Sequence, residues 1–234
     1  MTIYKYDGTL NGIFSCIFES FMSDEFPIDI IEKPSDNCFS IIKTIKTEQD
    51  KTRRAIHAFI DFAGEIALNE IQYSFKSEDP GKAHIIFSFI RKTLERRCDI
   101  SNDFSCKEVL YYYNLIKEIG SETRYYKKNL SFSIAANGVY YATVSPYNDI
   151  SDLLIHYFYR ILYARPFVIH DQKRNVITMI NNDERKIIKI ENIEYVPYSE
   201  EKLVLELWKN YFPTSDISDR RIFKNIKSIN TKAS

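Results

Sequence analysis

The residues whose types and spacing could support chemistry gather between Tyr140 and Arg174. Asp152, His156 and Arg160 follow one another at intervals of four residues, so on a helix they share one face. His156 could exchange a proton near neutral pH, and Arg160 could bind a phosphate or carboxylate through two parallel hydrogen bonds. The same spacing is also typical of a solvated helix face with ordinary pairing among Asp, His and Arg.

A second candidate lies where a predicted strand gives way to a turn, at His170 and Asp171. A histidine beside an acid could act as a general base, and Lys173 and Arg174 in the turn could bind an anion. Consecutive residues of a strand point to opposite faces, however, so His170 and Asp171 need not cooperate. Asp171 could instead supply hydrogen bonds to the turn. The catalytic candidates are therefore His156, His170 and Asp171.

Basic and aromatic residues alternate over positions 124–128, where Arg124, Tyr125 and Lys127 stand close together. This mixture suits single-stranded nucleic acid, because bases stack on aromatic rings while cations follow the phosphates. A chain rich in tyrosine and lysine also produces such a run by chance. We expect Arg124, Tyr125, Lys127 and Arg160 to contact nucleic acid or a partner.

The two ends of the chain carry opposite charge although the formal net charge is zero. Residues 220–234 hold five basic residues and no acidic one, and Arg220 and Arg221 begin a short basic amphipathic pattern. Such a helix suits nucleic acid or a partner groove. The alternatives are a helix docked on its own body and attraction between the two ends. Trp208 is interpreted as a packing anchor, with a binding contact as the alternative.

The composition and the known motifs exclude several classes of site. The cysteines and histidines lack the spacing of zinc or iron–sulfur ligands, so we predict no metal. Glycine-rich nucleotide motifs and the nucleophile elbow of hydrolases are absent, and no cofactor is predicted. The start has no signal-peptide pattern and no apolar run is long enough to span a membrane. We expect a cytoplasmic protein without a membrane partner, and the sequence does not specify its oligomeric state.

The hydrophobic periodicity predicts an α+β fold with a helical middle and antiparallel hairpins toward the C-terminal half. Predicted helices cover 10–21, stretches around 56–71, 83–94 and 105–116, and then 150–161, 199–212 and 218–229. Predicted strands cover 3–6, 28–32, 38–42, 130–136, 139–145, 167–170, 176–180 and 186–190. The dipeptide Asn137-Gly138 predicts a hairpin turn. We predict a single composite domain, 1–234, with a possible sub-boundary near Gly120, where the helical period ends.

The order of several short motifs resembles a bacterial family of probable DNA-metabolism proteins. The motifs are Tyr6-Asp7-Gly8-Thr9 with the helix to Phe21, Tyr140–Ala142, Pro146–Ile150, His156–Arg160, Ile169–Arg174 and Leu207–Phe212. Each motif is short, and their shared order and spacing carry the resemblance. The resemblance spans nearly the whole chain.

The resemblance implies a role in DNA metabolism or repair, without naming a reaction or a catalytic residue. Members of that family are linked by gene neighbourhood to a radical-SAM protein, and some are fused to a uracil-DNA-glycosylase-like domain. This chain departs from the family pattern before the hairpin, where Arg124, Tyr125 and Ser131 stand in place of His, Arg and Arg. The family's Pro-x-x-Tyr-Trp ending is also absent after Arg220.

Three functions follow as expectations. The leading one is an accessory protein of DNA metabolism or repair that binds nucleic acid or a DNA-bound partner, with Lys173, Arg174, Arg220 and Arg221 among the phosphate contacts. The first alternative is an enzyme that acts on a nucleobase or phosphodiester. The second is a structural adaptor for a radical-SAM partner without affinity for DNA.

Overall fold

A computed structural model describes residues 2–33, 40–163, 165–182, 184–189 and 199–212. Within these ranges the elements are β1 (Thr2–Lys5), α1 (Leu10–Met22), β2 (Asp29–Ile31), β3 (Ile41–Thr44), α2 (Gln49–Ser74), α3 (Lys82–Arg96), α4 (Lys107–Asn129), β4 (Ser133–Ile134), β5 (Tyr140–Val144), α5 (Ser151–Ile161), β6 (Phe167–Asp171), β7 (Val176–Asn181), β8 (Glu184–Lys189) and α6 (Glu200–Tyr211). This content confirms the α+β class. The predicted helix 218–229, together with Arg220 and Arg221, lies outside the described residues.

The chain divides into two compact units. Unit 1 comprises residues 1–125 together with 147–150, and unit 2 comprises 126–146 and 151–234. The boundary inside α4 falls between Tyr125 and Tyr126, a few residues beyond the position near Gly120 that the sequence indicates.

Unit 1 packs helices α1, α2 and α3 and the first part of α4 around one apolar core beside a three-stranded sheet. The sheet order is β2-β1-β3, and β1 is parallel to both neighbours. Ile13, Phe14 and Ile17 of α1 are buried, as their helical spacing predicts, whereas Phe21 at the end of the same stripe is 44% exposed. Thr9 caps this helix by accepting a hydrogen bond from the Gly12 amide at 3.0 Å. Helix α2 is interrupted at Gly64, whose φ of +83° favours glycine.

Two predictions about α4 and the hairpin need correction. The helical period does not end at Gly120, because α4 continues to Asn129. The predicted strand 130–136 is reduced to β4, two residues long, although its antiparallel pairing with β5 confirms the hairpin. The Tyr- and Lys-rich residues before the hairpin have adequate helix propensity, and the expected period-two pattern begins only after them.

Unit 2 is built on a five-stranded mixed sheet in the order β4-β5-β6-β7-β8. The predicted β6–β7 pair is confirmed as antiparallel, and β8 is antiparallel to β7. Strands β5 and β6 are parallel, an arrangement the sequence did not predict, with α5 as the connection between them. Their carboxyl ends therefore meet at one edge, beside the start of α5 and the turn after Asp171.

The two faces of the unit 2 sheet are covered by different helices. Val168, Ile177 and Met179 form one buried cluster with Trp208 of α6. Phe167 points to the other face, where the Phe132 ring contacts both Phe167 and Phe158 of α5. Helices α5 and α6 thus occupy opposite faces, in keeping with the alternation of side chains along β6.

Candidate functional site

The carboxyl edge of β5 and β6 places His170 and Asp171 in two separate clusters. Asp171 is 1% exposed and its Oδ2 accepts hydrogen bonds from Ser151 Oγ at 2.9 Å and from Arg174 Nη1 at 3.0 Å. Its Oδ1 accepts a hydrogen bond from the backbone amide of Arg174 at 3.2 Å. Arg174 also donates to the carbonyl of Pro146 at 3.3 Å. Asp171 and Arg174 therefore tie the turn to the segment that follows β5 and to the start of α5.

His170 turns to the opposite face of the sheet and pairs with Glu200, the first residue of α6. Its Nδ1 lies 3.1 Å from Glu200 Oε2, and Gln172 donates to the other oxygen of that carboxylate at 3.0 Å. The residue is 9% exposed, and its Nε2 is buried without a hydrogen-bond partner among the residues that the structure describes. A carboxylate on one ring nitrogen fixes the orientation of the imidazole.

His156 and Arg160 lie exposed on α5, as the helical spacing of four residues predicts. Nδ1 of His156 bonds to the carbonyl oxygen of Asp152 at 2.8 Å, so in the neutral ring Nδ1 carries the proton and Nε2 is the acceptor. Arg160 forms no ion pair with any residue in the described ranges. The contact of His156 with this stripe is therefore a bond from its side chain to the backbone of Asp152.

Lys127 lies over an aromatic ring of α5. Its Nζ is 5.0 Å from the centroid of the Tyr157 ring, a cation–π contact. Arg160 follows Tyr157 by three residues, so the two side chains are neighbours on the helix surface. Tyr163, just past the end of α5, is 86% exposed. We call Lys127, Tyr157, Arg160 and Tyr163 the basic–aromatic row.

The other predicted contacts lie elsewhere. Arg124 and Tyr125 belong to unit 1, where Arg124 is exposed and donates to Ser121 at 3.0 Å and Tyr125 is 62% exposed. Lys173 is exposed in the turn after β6. Trp208 is 3% exposed and lies against Phe212, so it belongs to the core of unit 2 and not to its surface.

A carboxylate that the sequence did not single out holds the segment after Pro146. In unit 1, Glu122 of α4 accepts hydrogen bonds from the Tyr147 amide and, through Oε2, from the Asn148 amide at 2.9 Å and the Asn148 side chain at 2.8 Å. Asn148 in turn accepts a hydrogen bond from the Glu78 amide at 3.1 Å. The motif residue Asn148 therefore has a structural role within this unit.

Sequence reasoning missed Glu122, Tyr157 and Glu200. No local pattern could have paired Glu200 with His170, because the two are thirty positions apart and meet only through the packing of α6 on the sheet. The helical pattern of residues 150–161 predicted Tyr157 on the apolar stripe of the helix, and nothing local placed Lys127 over its ring. In the described residues, no three His, Cys, Asp or Glu side chains are grouped as a metal site would require. No helix found there is long and apolar enough to cross a bilayer.

Comparison with known proteins identifies a family but no function. The model of a family described as a domain of unknown function, DUF4130, matches residues 80–229, which is more than half of the chain. The chain therefore belongs to this family. No curated protein and no solved structure gives a significant match to the chain.

Proposed function

We propose that this member of the DUF4130 family binds single-stranded nucleic acid through unit 2, as an accessory protein of DNA metabolism. The observation that carries the proposal is the basic–aromatic row, in which Lys127 lies over the ring of Tyr157 and the exposed Arg160 follows Tyr157 by three residues on α5. The association with DNA metabolism rests on the motif resemblance described above.

The row combines the two contacts that single strands require. Bases stack on aromatic side chains without regard to sequence, and Lys or Arg side chains neutralise the adjacent phosphates. Tyr163, just past the end of α5, adds an exposed ring three residues after Arg160. Arg160 has no ion pair in the described ranges and would not have to break one to bind a phosphate.

The distribution of charge between the units favours the same ligand. Unit 2 contains 16 Lys and Arg against 11 Asp and Glu, a balance of +5, whereas unit 1 contains 16 against 21, a balance of −5. A positive balance attracts a polyanion to unit 2 and weakens with salt. Lys128 and Lys173, both exposed on unit 2, would add phosphate contacts. Arg174 would act indirectly, because its guanidinium is bound to Asp171.

Fluorescence anisotropy with a labelled single-stranded oligonucleotide, titrated over a range of salt, tests the proposal. We expect Lys127→Glu and Arg160→Glu each to weaken binding by roughly three- to tenfold at low salt and to lower the log–log salt slope by about 0.7. Tyr157→Leu should weaken affinity while leaving the slope unchanged. Lys209→Glu, the same charge change on α6 at the opposite face of the sheet, is the matched control.

The absence of binding at low salt would contradict the proposal. So would a loss of affinity that is equal for Lys209→Glu and Lys127→Glu, because it would indicate a general charge effect. If the protein instead co-purifies with a radical-SAM partner and does not bind DNA, the adaptor function is correct.

The buried His170–Glu200 pair favours a second candidate, an enzyme acting on a nucleobase or phosphodiester. Nδ1 is held by the carboxylate, so Nε2 would be the atom that exchanges a proton, and because this atom is buried a substrate would reach it only after a local rearrangement. This function requires turnover by the isolated chain that His170→Asn abolishes and His156→Asn leaves intact. Turnover that depends on His156 alone would assign the proton to the exposed imidazole of α5.

A further inference from the structure

We propose that unit 1 contains a binding site for a single anionic amphiphile, a molecule with an alkyl chain and a carboxylate or phosphate head. The site is a cleft of about 360 Å³ among α1, α2 and the end of α3. Its volume lies in the range of roughly 300–1,000 Å³ typical of small-molecule sites. We call it the arginine cleft because Arg54 and Arg97 line it. This site is independent of the nucleic-acid function proposed for unit 2.

The walls of the arginine cleft are apolar and partly open to solvent. Phe18, Phe21 and Met22 line it from α1, and Phe62 lines it from α2. Met22 is 69% exposed, Phe21 44% and Phe62 37%, so an alkyl chain placed between them would remove a substantial apolar surface from water. Methionine is also adaptable to ligands of differing shape.

Ala58 gives the cleft room for a chain. It lines the cleft four residues before Phe62, and therefore lies one helical turn away on the same face of α2. A methyl group at this position leaves space between the aromatic walls that a larger side chain would fill.

The two arginines of the cleft differ from their immediate neighbours in the chain. Arg53 forms an ion pair with Asp50 at 2.7 Å, and Arg96 forms one with Asp103. Arg54 and Arg97 follow these residues directly, yet neither has a carboxylate partner in the described part of the chain. In each pair of consecutive arginines, one guanidinium thus pairs with an acid of the protein, and the other arginine lines the cleft.

The charge of the cleft selects an anion. No acidic residue is present among the residues that line it, although unit 1 as a whole has an excess of acids. The guanidinium of Arg54 lies 5.0 Å from the centroid of the Phe18 ring, which places a cation directly against an apolar wall. A guanidinium binds a carboxylate or phosphate through two parallel hydrogen bonds. An anion attached to an alkyl chain would bind the arginines through its charge and the apolar walls through its chain.

Titration of the full-length chain with 11-(dansylamino)undecanoate, followed by displacement with dodecanoate, tests the site. We expect saturable binding of one probe molecule per chain. Arg54→Gln and Arg97→Gln should each weaken it about tenfold, the loss expected when a charged hydrogen bond is removed. Arg53→Gln and Arg96→Gln are matched controls and should leave affinity within about twofold of the original. Ala58→Leu should weaken binding by blocking the chain, with thermal unfolding of every variant measured to verify its fold.

The head group and the source of the ligand are tested separately. Dodecanol shares the alkyl chain and lacks the charge, so displacement by dodecanol as strong as by dodecanoate would overturn the proposal. Equal losses for Arg53→Gln and Arg54→Gln would also overturn it, as would the absence of saturable binding. Vesicles of phosphatidylglycerol distinguish a bilayer from a free molecule. Binding to vesicles that dodecanoate fails to displace would contradict a site for a single amphiphile.

Discussion

Asp171 and Arg174 form an ion pair at the end of β6, with Nη1 of Arg174 3.0 Å from Oδ2 of Asp171. The carboxylate is almost completely buried, and the arginine side chain is 18% exposed. His170, one residue earlier, pairs with Glu200 on the other face of the sheet. The short motif His-Asp-x-x-Arg therefore anchors both faces of one strand, and its acid and its histidine do not form a dyad.

Replacing Asp171 should destabilise unit 2. Asp171→Asn leaves the guanidinium of Arg174 partly buried without its anion, and we expect a loss of about 2–4 kcal/mol in the free energy of unfolding. Urea denaturation monitored by Trp208 fluorescence measures it. Glu184→Gln breaks the exposed pair with Lys186 and should cost about 0–1 kcal/mol. Equal losses for the two variants would show that the buried pair has no special contribution.

Replacing Glu122 should loosen the segment that it holds. Glu122→Ala removes the acceptor of the Tyr147 and Asn148 amides, and Asn148 is 3% exposed, so we expect a loss of about 2–3 kcal/mol. Amide hydrogen exchange at positions 147 and 148 should accelerate. Glu118→Ala, at an exposed position one turn earlier on α4, is the control and should change neither the free energy of unfolding nor the exchange rates. Equal exchange rates at positions 147 and 148 in the two variants would argue against this role of Glu122.

How far the sequence alone leads depends on how local the determining contacts are. The helices α1, α5 and α6 and the hairpin at Asn137 are encoded within a few residues, and all of them are confirmed. The parallel pairings of β1 with its neighbours and of β5 with β6 join distant segments, so no period of hydrophobicity could indicate them. The alternation of side chains along a strand already indicated that His170 and Asp171 could lie on opposite faces. It could not indicate that Glu200 is the partner of His170.

The same distinction applies to the candidate surfaces. His156 and Arg160 share an exposed face because four-residue spacing is a property of the helix itself. Lys127 could be placed in a basic and aromatic run, but its contact with Tyr157 depends on how α4 ends and α5 packs. The arginine cleft could not be predicted from the sequence. Its positive charge depends on which of two consecutive arginines forms an ion pair with an acidic residue, and this is decided by tertiary packing.

Gly12 is required by the close approach of Asp7. A Cβ at position 12 would lie 2.3 Å from Asp7 Oδ1, an oxygen that accepts hydrogen bonds from the amide and hydroxyl of Thr9. Gly12→Ala should therefore cost about 1–3 kcal/mol despite the better helix propensity of alanine. In an Asp7→Ala background the contact with the carboxylate is absent and only a 3.0 Å contact with the Tyr6 ring remains, so Gly12→Ala should cost less than in the wild type. A double-mutant cycle by urea denaturation tests this, and additive effects would contradict it.

Asp7 should make stability depend on pH at the acid end. Burial acts to raise the pKa of Asp7, but hydrogen bonds from Thr9 and Thr47 outweigh it and hold the pKa below its ordinary value. The stabilisation is complete above the ordinary pKa of about 3.9 and is lost as pH falls through the lower folded value. The difference in unfolding free energy between the wild type and Asp7→Asn should therefore shrink on acidification. A difference that is constant from pH 6 to pH 3, a range spanning roughly that ordinary value, would contradict this.

The cysteines should differ sharply in reactivity. Burial, together with the nearby Asp7 and Glu19 charges, raises the pKa of Cys16 to about 12, whereas Cys98 is exposed. At pH 8 only about one Cys16 thiol in ten thousand would be ionised. Iodoacetamide should therefore modify Cys98 well before Cys16, as measured by peptide mass spectrometry. Equal rates under native conditions would show that Cys16 is accessible.

The division of the chain has a consequence for how the protein is made. Residues 147–150 belong to unit 1 although they follow the first segment of unit 2, so the chain passes between the two units three times. During synthesis, unit 1 lacks the segment that Glu122 binds until residue 150 has left the ribosome. A protein shortened to residues 1–125 would consequently contain the whole sheet and arginine cleft of unit 1. It would lack Tyr147 and Asn148, whose amides donate hydrogen bonds to Glu122.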